Sequence, residues 1–286
     1  MTSGAESITL AELMRQLQGM GIARLDAQRL LLHLLGRDDG QRAWLFAHDQ
    51  ELAPASVVHA LAAHVARLQA GEPLAYLLGQ QAFYGLTLTV DARVLVPRPD
   101  SETLVDWALK VLSKAHQPVL RVLDLGTGSG ALALAIQAHC PQAQVCATDL
   151  SPDALDVART NGERLNLPVQ WQQGAWFEAL APGTATFDVI VSNPPYIATH
   201  DPHLAALGHE PALALTSGPD GLEALRHLIA QAPEHLTSGG WLLLEHGFDQ
   251  APAVRALLSQ AGFEFVQSRH DLAGIERCSG GQWRLP

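Results

Sequence analysis

Between Ile8 and about Ala70 the apolar residues recur at intervals of three and four, with Leu10, Leu13, Met14 and Leu17 forming one set and Leu25, Leu30, Leu31, Leu34 and Leu35 another. That period puts each set on one side of a helix, so the spacing predicts amphipathic helices. Gly19-Met-Gly21, Gly36-Arg-Asp-Asp-Gly40 and Ala53-Pro54 interrupt the period, which divides the segment into a bundle of about four helices joined by short turns. Past Gly71-Glu-Pro73 the pattern changes. Phe83 to Val90 alternates and is rich in β-branched residues, predicting a strand, with Val94-Leu-Val96 as the return arm of a hairpin. From about Ser101 onward, strand-like apolar runs (119–123, 144–147, 169–171, 187–191 and 240–244) alternate with helical stretches. This is the order of a doubly wound α/β sheet. The expected organisation is a helical module over residues 1–72, a β-hairpin linker over 73–100 and an α/β domain over 101–286. The connection from Asn193 to about Asp220 is long, and loops of that length usually serve function.

Composition narrows the class. With 286 residues, 48% of them apolar and 16% charged, the chain can bury a substantial core. No apolar run approaches the roughly 18 residues of a bilayer span, so no membrane role is expected. Cys140, Cys146 and Cys278 are odd in number and lack CxxC spacing, which argues against a disulfide framework and against a thiolate zinc site. The first residues lack the basic start and apolar stretch of a secretory leader. The expectation is therefore a cytoplasmic protein, taken as a monomer. The net charge is −11, Lys110 and Lys114 are the only lysines, and the arginines are dispersed. Direct binding to nucleic acid is not expected without a basic stripe to track phosphates.

The candidate chemistry begins at Arg121-Val-Leu-Asp-Leu-Gly-Thr-Gly-Ser-Gly130, a buried strand entering a glycine turn, and continues into the helical Ala131 to Ile136. Glycines at 126, 128 and 130 permit positive φ and let the backbone of Gly126, Thr127, Gly128, Ser129 and Gly130 approach a ligand at a helix start. A nucleoside cofactor suits such a turn, although Gly126, Gly128 and Ala131 also satisfy a loose dinucleotide pattern. Asp149 ends the next strand, where a carboxylate can accept from both hydroxyls of a ribose or can simply cap the following helix; Ser151-Pro152-Asp153 supplies a better cap. Asp124, two residues before the turn, suits a cationic ammonium and repels a pyrophosphate. This favours S-adenosyl-L-methionine over NAD, with hydrogen bonding to the loop's own amides as the other role open to Asp124.

Asn193-Pro194-Pro195-Tyr196 follows the strand-like Phe187 to Ser192 and lies beside the crevice at the sheet's switch point. Two prolines fix φ and remove N–H donors, leaving a rigid edge rich in acceptors. The Asn193 side-chain oxygen and the Pro194 carbonyl can each take one hydrogen of a planar NH2 group while Tyr196 walls it. Such a nitrogen is a weak nucleophile, and two acceptors would aim its lone pair and stabilise the charge that develops on it. No strong base stands near the motif, so the proton is expected to leave to solvent.

On these motifs the sequence resembles the class I S-adenosylmethionine-dependent methyltransferases, and specifically the HemK/PrmC family of release factor glutamine methyltransferases. The resemblance extends over almost the whole chain, through Val94-Leu-Val-Pro-Arg-Pro-Asp-Ser-Glu102, Glu210-Pro211 and Asp271-Leu-Ala-Gly-Ile-Glu-Arg277. It implies a Rossmann-like doubly wound sheet with a small N-terminal helical domain joined by a β-hairpin. It also implies methylation of the glutamine side chain in the Gly-Gly-Gln tripeptide of peptide chain release factors, with S-adenosyl-L-homocysteine as the other product. The same resemblance implies that Gly126 to Gly130 and Asp149 hold the donor and that Asn193 to Tyr196 grip the substrate amide. Trp176 stands where the family has an aromatic near the adenine, or is a core tryptophan. Arg98 either contacts substrate or pairs with Asp100 or Glu102. Asp100-Ser101 replaces the commoner Glu-Thr of the family.

Other readings have less support. His200, His203 and His209 lie close together in the long loop, yet no helix-spaced pair with a carboxylate suggests a metal. Ser129 is not in a nucleophile elbow, and Glu245-His246 either touches the site or is a solvated strand end. Methylation of an exocyclic base amine is the alternative, since that group is also a planar NH2. A non-catalytic nucleotide-binding protein is a third possibility.

Overall fold

The Thr9 hydroxyl accepts from the Glu12 N–H at 3.2 Å while the Glu12 carboxylate accepts from the Thr9 N–H at 2.8 Å. This reciprocal cap starts α1 (Leu10–Gly19). The computed structural model describes residues 8–285 apart from 116 and 118, and the chain divides into two compact units, Met1–Gly79 and Gln80–Pro286.

In the first unit α1 is followed by α2 (Arg24–Leu34), α3 (Arg42–Ala47), α4 (Ala55–Gln69) and the short α5 (Leu74–Leu78). Their apolar faces meet in one core of Leu10, Leu13, Leu17, Leu30, Leu31, Leu45, Val57, Leu61 and Val65. Leu25 departs from the predicted stripe: it lies in the first turn of α2 and is 49% exposed.

The second unit opens with a hairpin of β1 (Gln80–Phe83) and β2 (Leu86–Thr89). Its two turn residues, Tyr84 and Gly85, have φ of 47° and 77°, a backbone that matches the twist of paired strands. The hairpin is therefore tighter and earlier than expected. Val94–Val96 is not its return arm but an irregular segment that buries Val94 and Val96. The alternation from Phe83 to Val90 spans the turn itself.

The main sheet contains β3 (Leu120–Leu125), β4 (Ala143–Asp149), β5 (Val169–Gln173), β6 (Phe187–Ser192), β7 (Leu236–Glu245), β8 (Glu264–His270) and β9 (Glu276–Gln282), in the order β5-β4-β3-β6-β7-β9-β8. β3 to β7 are mutually parallel, and β9 is inserted antiparallel between β7 and β8. Five of these strands coincide with the predicted runs to within a residue or a few at their ends. β8 and β9 have no predicted counterpart, because β8 is largely half-exposed and polar and β9 carries Ser279-Gly280-Gly281. α6 (Glu102–Leu112) and α7 (Ala131–His139) pack against each other beside the sheet, with α8 (Pro152–Leu165) against β4 and β5. α9 (Glu223–Gln231) and α10 (Ala251–Gln260) supply Leu225, Leu228, Val254 and Leu258 to a core shared with β3, β6 and β7. Because the strand order reverses between β3 and β6, a crevice opens at their carboxyl ends.

Gly280 explains the glycines of β9. A Cβ at this position would lie 2.5 Å from the Leu242 carbonyl and 2.7 Å from Leu243 Cδ2. Gly280→Ala is expected to lower stability by about 1–3 kcal/mol, measured by denaturant unfolding, as the β7–β9 seam is forced apart.

Candidate active site

The glycine turn is held by carbonyls and carboxylates of neighbouring strands. The N–H groups of Gly126 and Thr127 both donate to the Thr148 carbonyl at 2.9 Å. Gly126, Gly128 and Gly130 have φ of 72°, 57° and 85°, which only glycine adopts without strain. The Asp149 carboxylate accepts from the Gly128 N–H at 2.8 Å and from the Ser151 N–H at 2.9 Å, so it joins the turn to the start of α8. Burial pushes Asp149 above the ordinary carboxylate range, against the pull of those N–H groups.

Asp124 is fully buried behind the turn. Its Oδ2 accepts from the Thr127 hydroxyl at 2.6 Å and from the Ala133 N–H at 3.2 Å, and its Oδ1 has no partner. Desolvation raises its pKa to about 7. Of the two roles open to Asp124, the geometry supplies the internal one: it hydrogen-bonds the loop and α7, and it does not line the cavity. Asn161 has no counterpart in the sequence reading. It is fully buried on α8, bonds both backbone groups of Thr89 at 2.7 and 3.0 Å, and donates to the Ser129 carbonyl at 3.0 Å. Only its place on the inner side of α8, amid small residues, hints at this in the sequence.

Trp176 packs against the turn, 3.1 Å from where a Gly126 Cβ would stand. It holds φ at 50°, rare for a bulky residue and characteristic of functional sites. Gly126, Gly128, Asp149, Trp176, Asn193 and Pro195 share a cavity of about 640 Å³ with Leu150, Asp153 and Glu223. Three carboxylates against the single guanidinium of Arg93 make it suited to a cationic ligand. Half-exposed Leu150 and the Trp176 ring give it an apolar end. Thr127, Ser129 and Gly130 of the turn, like Pro194, Tyr196 and Arg98, lie outside the cavity lining.

Asn193 follows β6. Its Nδ2 donates to the Ser101 hydroxyl at 3.2 Å, and Oδ1 accepts from none of the described residues. The Pro194 carbonyl is likewise free of internal donors among those residues. The Tyr196 carbonyl is occupied by the Gln250 side chain at 3.0 Å, and the Tyr196 hydroxyl lies 3.5 Å from Glu245 Oε1. Burial raises the pKa of this phenol further. Arg98 pairs with neither Asp100 nor Glu102 but with Glu210, whose carboxylate also takes the Val96 N–H at 3.0 Å. The long loop is thereby tied to the segment before α6. Among the described residues no group of three or more His, Cys, Asp or Glu side chains is placed to hold a metal ion, and no helix is long and apolar enough to cross a membrane.

A parallel sheet with one antiparallel strand near its edge, a glycine turn after β3 and a carboxylate after β4 define the catalytic fold of a methyltransferase. The family model described as "Methyltransferase small domain" matches residues 101–210, and that of the "PrmC N-terminal domain" matches residues 9–79. A Bordetella pertussis release factor glutamine methyltransferase is 52% identical over 91% of this chain and 95% of its own. Its Burkholderia pseudomallei counterpart is 46% identical over 100% and 99%. A Pyrococcus furiosus methyltransferase of solved structure shares the fold, with a TM-score of 0.53 at 22% identity over 78% of this chain and all of that one. The chain belongs to the HemK/PrmC family of release factor glutamine methyltransferases.

Asp149→Asn places an NH2 against the N–H of either Gly128 or Ser151. It is expected to lower the stability of the ligand-free protein by about 1–3 kcal/mol in denaturant unfolding.

Proposed function

We propose that this chain transfers the methyl group of S-adenosyl-L-methionine to the side-chain amide nitrogen of the glutamine in the Gly-Gly-Gln tripeptide of peptide chain release factors, and so tunes translation termination in the cytoplasm. The reading is carried by the orientation of the Asn193 amide, whose Nδ2 donates to Ser101 while its Oδ1 and the carbonyl of the next residue, Pro194, accept from none of the described residues. Two acceptors at a rigid turn fit the two hydrogens of one planar NH2 group.

The residues around the cavity fit the donor. Of the predicted Gly126 to Gly130 backbone, Gly126 and Gly128 face the cavity and, with the Asp149 carboxylate, would hold its ribose side, Trp176 and Leu150 its adenine, and the surrounding carboxylates its positive charge. When bound, S-adenosyl-L-methionine supplies an electrophilic methyl carbon and leaves as S-adenosyl-L-homocysteine, the C–S electron pair going to sulfur as the nitrogen lone pair forms the C–N bond. Asn193 Oδ1 and the Pro194 carbonyl fix the amide plane so that the lone pair points into the cavity. They also stabilise the positive charge growing on nitrogen. Pro195 keeps the turn from yielding and Tyr196 closes one side. The amide proton passes to solvent.

We further propose that residues 1–72 hold the release factor, that the segment Pro97 to Glu102, including Arg98, lines the entrance, and that the chain acts as a monomer. Its charge of −11, with Lys110 and Lys114 its only lysines, supports a protein substrate over naked nucleic acid.

Incubation with labelled donor and release factor is expected to label the Gly-Gly-Gln protein and not a Gly-Gly-Ala variant; equal labelling of both, or labelling of duplex DNA or ribosomal RNA instead, contradicts the proposal. Asn193→Ala is expected to lower kcat by about two orders of magnitude while donor affinity stays within a few fold.

A further inference from the structure

Two walls of the cavity belong to no strand or α-helix, and one buried carboxylate joins them. The first wall is the irregular segment Ala92 to Leu95, and the second is the end of the long loop, Pro211 to Gly218. Val94 and Val96, 1% and 4% exposed, fix the first. The second is fixed at its far end, where the Ile197 N–H donates to the Leu215 carbonyl and the Ser217 N–H to the Ile197 carbonyl, each at 2.9 Å. At its near end stands Glu210, its side chain 2% exposed. This carboxylate accepts from the Val96 N–H at 3.0 Å and pairs with Arg98. Pro211 comes next, with φ of −62°, so the placement of Glu210 is passed without slack to the turn Ala212–Ala214. Leu213 in that turn lines the cavity and is 59% exposed, apolar surface that a bound molecule can bury.

We propose that Glu210 is a positioning residue that latches the loop wall of the donor cavity to the segment before α6, and that donor and product pass when its pair with Arg98 opens. The inference rests on the reading that S-adenosyl-L-methionine occupies this cavity. The rest of the cavity is held firmly: Gly126, Gly128 and Asp149 by the bonds of the glycine turn, and Ala154 and Ala224 as parts of α8 and α9. The loop wall is the part that can move, swinging about its bridge to Ile197. Glu210 and Arg98 lie outside the cavity lining, so their pair is the same interaction with or without a ligand. Its loss leaves the equilibrium affinity nearly unchanged and speeds entry and exit alike. A residue that shaped the cavity would behave differently, since its loss would weaken binding mainly through faster exit.

The test is the binding kinetics of S-adenosyl-L-homocysteine to the full chain, followed by surface plasmon resonance for wild type, Glu210→Gln, Arg98→Gln and Arg98→Lys. In Glu210→Gln the side-chain oxygen can still accept from Val96, but its NH2 meets the Arg98 guanidinium. Association and dissociation rate constants are each expected to rise about tenfold, the scale of one hydrogen bond to a charged group, with Kd within about threefold. Arg98→Gln should raise both rates in the same way. The Arg98 contact is made through one nitrogen, so Arg98→Lys should keep both rates within about threefold of wild type. Thermal midpoints identify any variant that is not folded, and Arg98→Gln carries the test if Glu210→Gln is one.

Hydrogen exchange of the ligand-free proteins gives a readout that needs no ligand, and the amides of 211–218 are expected to exchange faster in Glu210→Gln than in wild type. Wild-type exchange across 211–218 would overturn the proposal. So would faster dissociation with unchanged or slower association and a weakened Kd, which is the signature of a distorted cavity. A wild type that binds no product contradicts the donor reading, and the proposal with it; a wild type that binds, with Glu210→Gln and Arg98→Gln matching its rates, contradicts the latch alone.

Discussion

The hydrogen bond from Asn193 Nδ2 to the Ser101 hydroxyl, at 3.2 Å, decides whether the edge after β6 offers acceptors or donors. An asparagine amide is nearly symmetric in shape, so its chemical polarity is fixed only by what its inner end touches. Much of the catalytic unit serves to bring those two residues together. β6 ends in Ser192, whose hydroxyl is tied to the Leu125 carbonyl at 2.6 Å, and two prolines then stiffen the chain. Ser101 is placed by the 3-10 turn Pro99–Ser101 that leads into α6, and Glu210 fastens the preceding segment through Val96 and Arg98.

The carboxyl ends of β3, β4 and β7 each carry an acid, and the fold uses them in different ways. Asp124 is sealed behind the glycine turn and shapes it from within. Asp149 reaches the cavity while holding Gly128 and Ser151. Glu245 lies buried beside Tyr196, with one oxygen unsatisfied. All three have pKa values raised by burial. Such groups reduce stability and accumulate where a site needs fixed polarity.

How much of this is legible in the sequence depends on the kind of signal. Five parallel strands and the amphipathic helices are written as apolar periodicity, and the glycine turn and Asn193-Pro-Pro-Tyr196 as residues that few other environments require. β8 and β9 escape because a strand selected for close approach, as at Gly280, carries no side-chain pattern. Val94–Val96 misleads because burial in an irregular segment gives the same apolar spacing as a strand. Arg98, Asn161 and Ser101 take partners 112, 72 and 92 positions away, and no local rule reports such contacts.

The most direct measurement of the central claim is a neutron structure of the protein with S-adenosyl-L-homocysteine and a Gly-Gly-Gln peptide, in which the hydrogens of the Asn193 side chain are located. The account predicts them on the Ser101 side, with Oδ1 facing the glutamine amide. Hydrogens directed at the glutamine would contradict it.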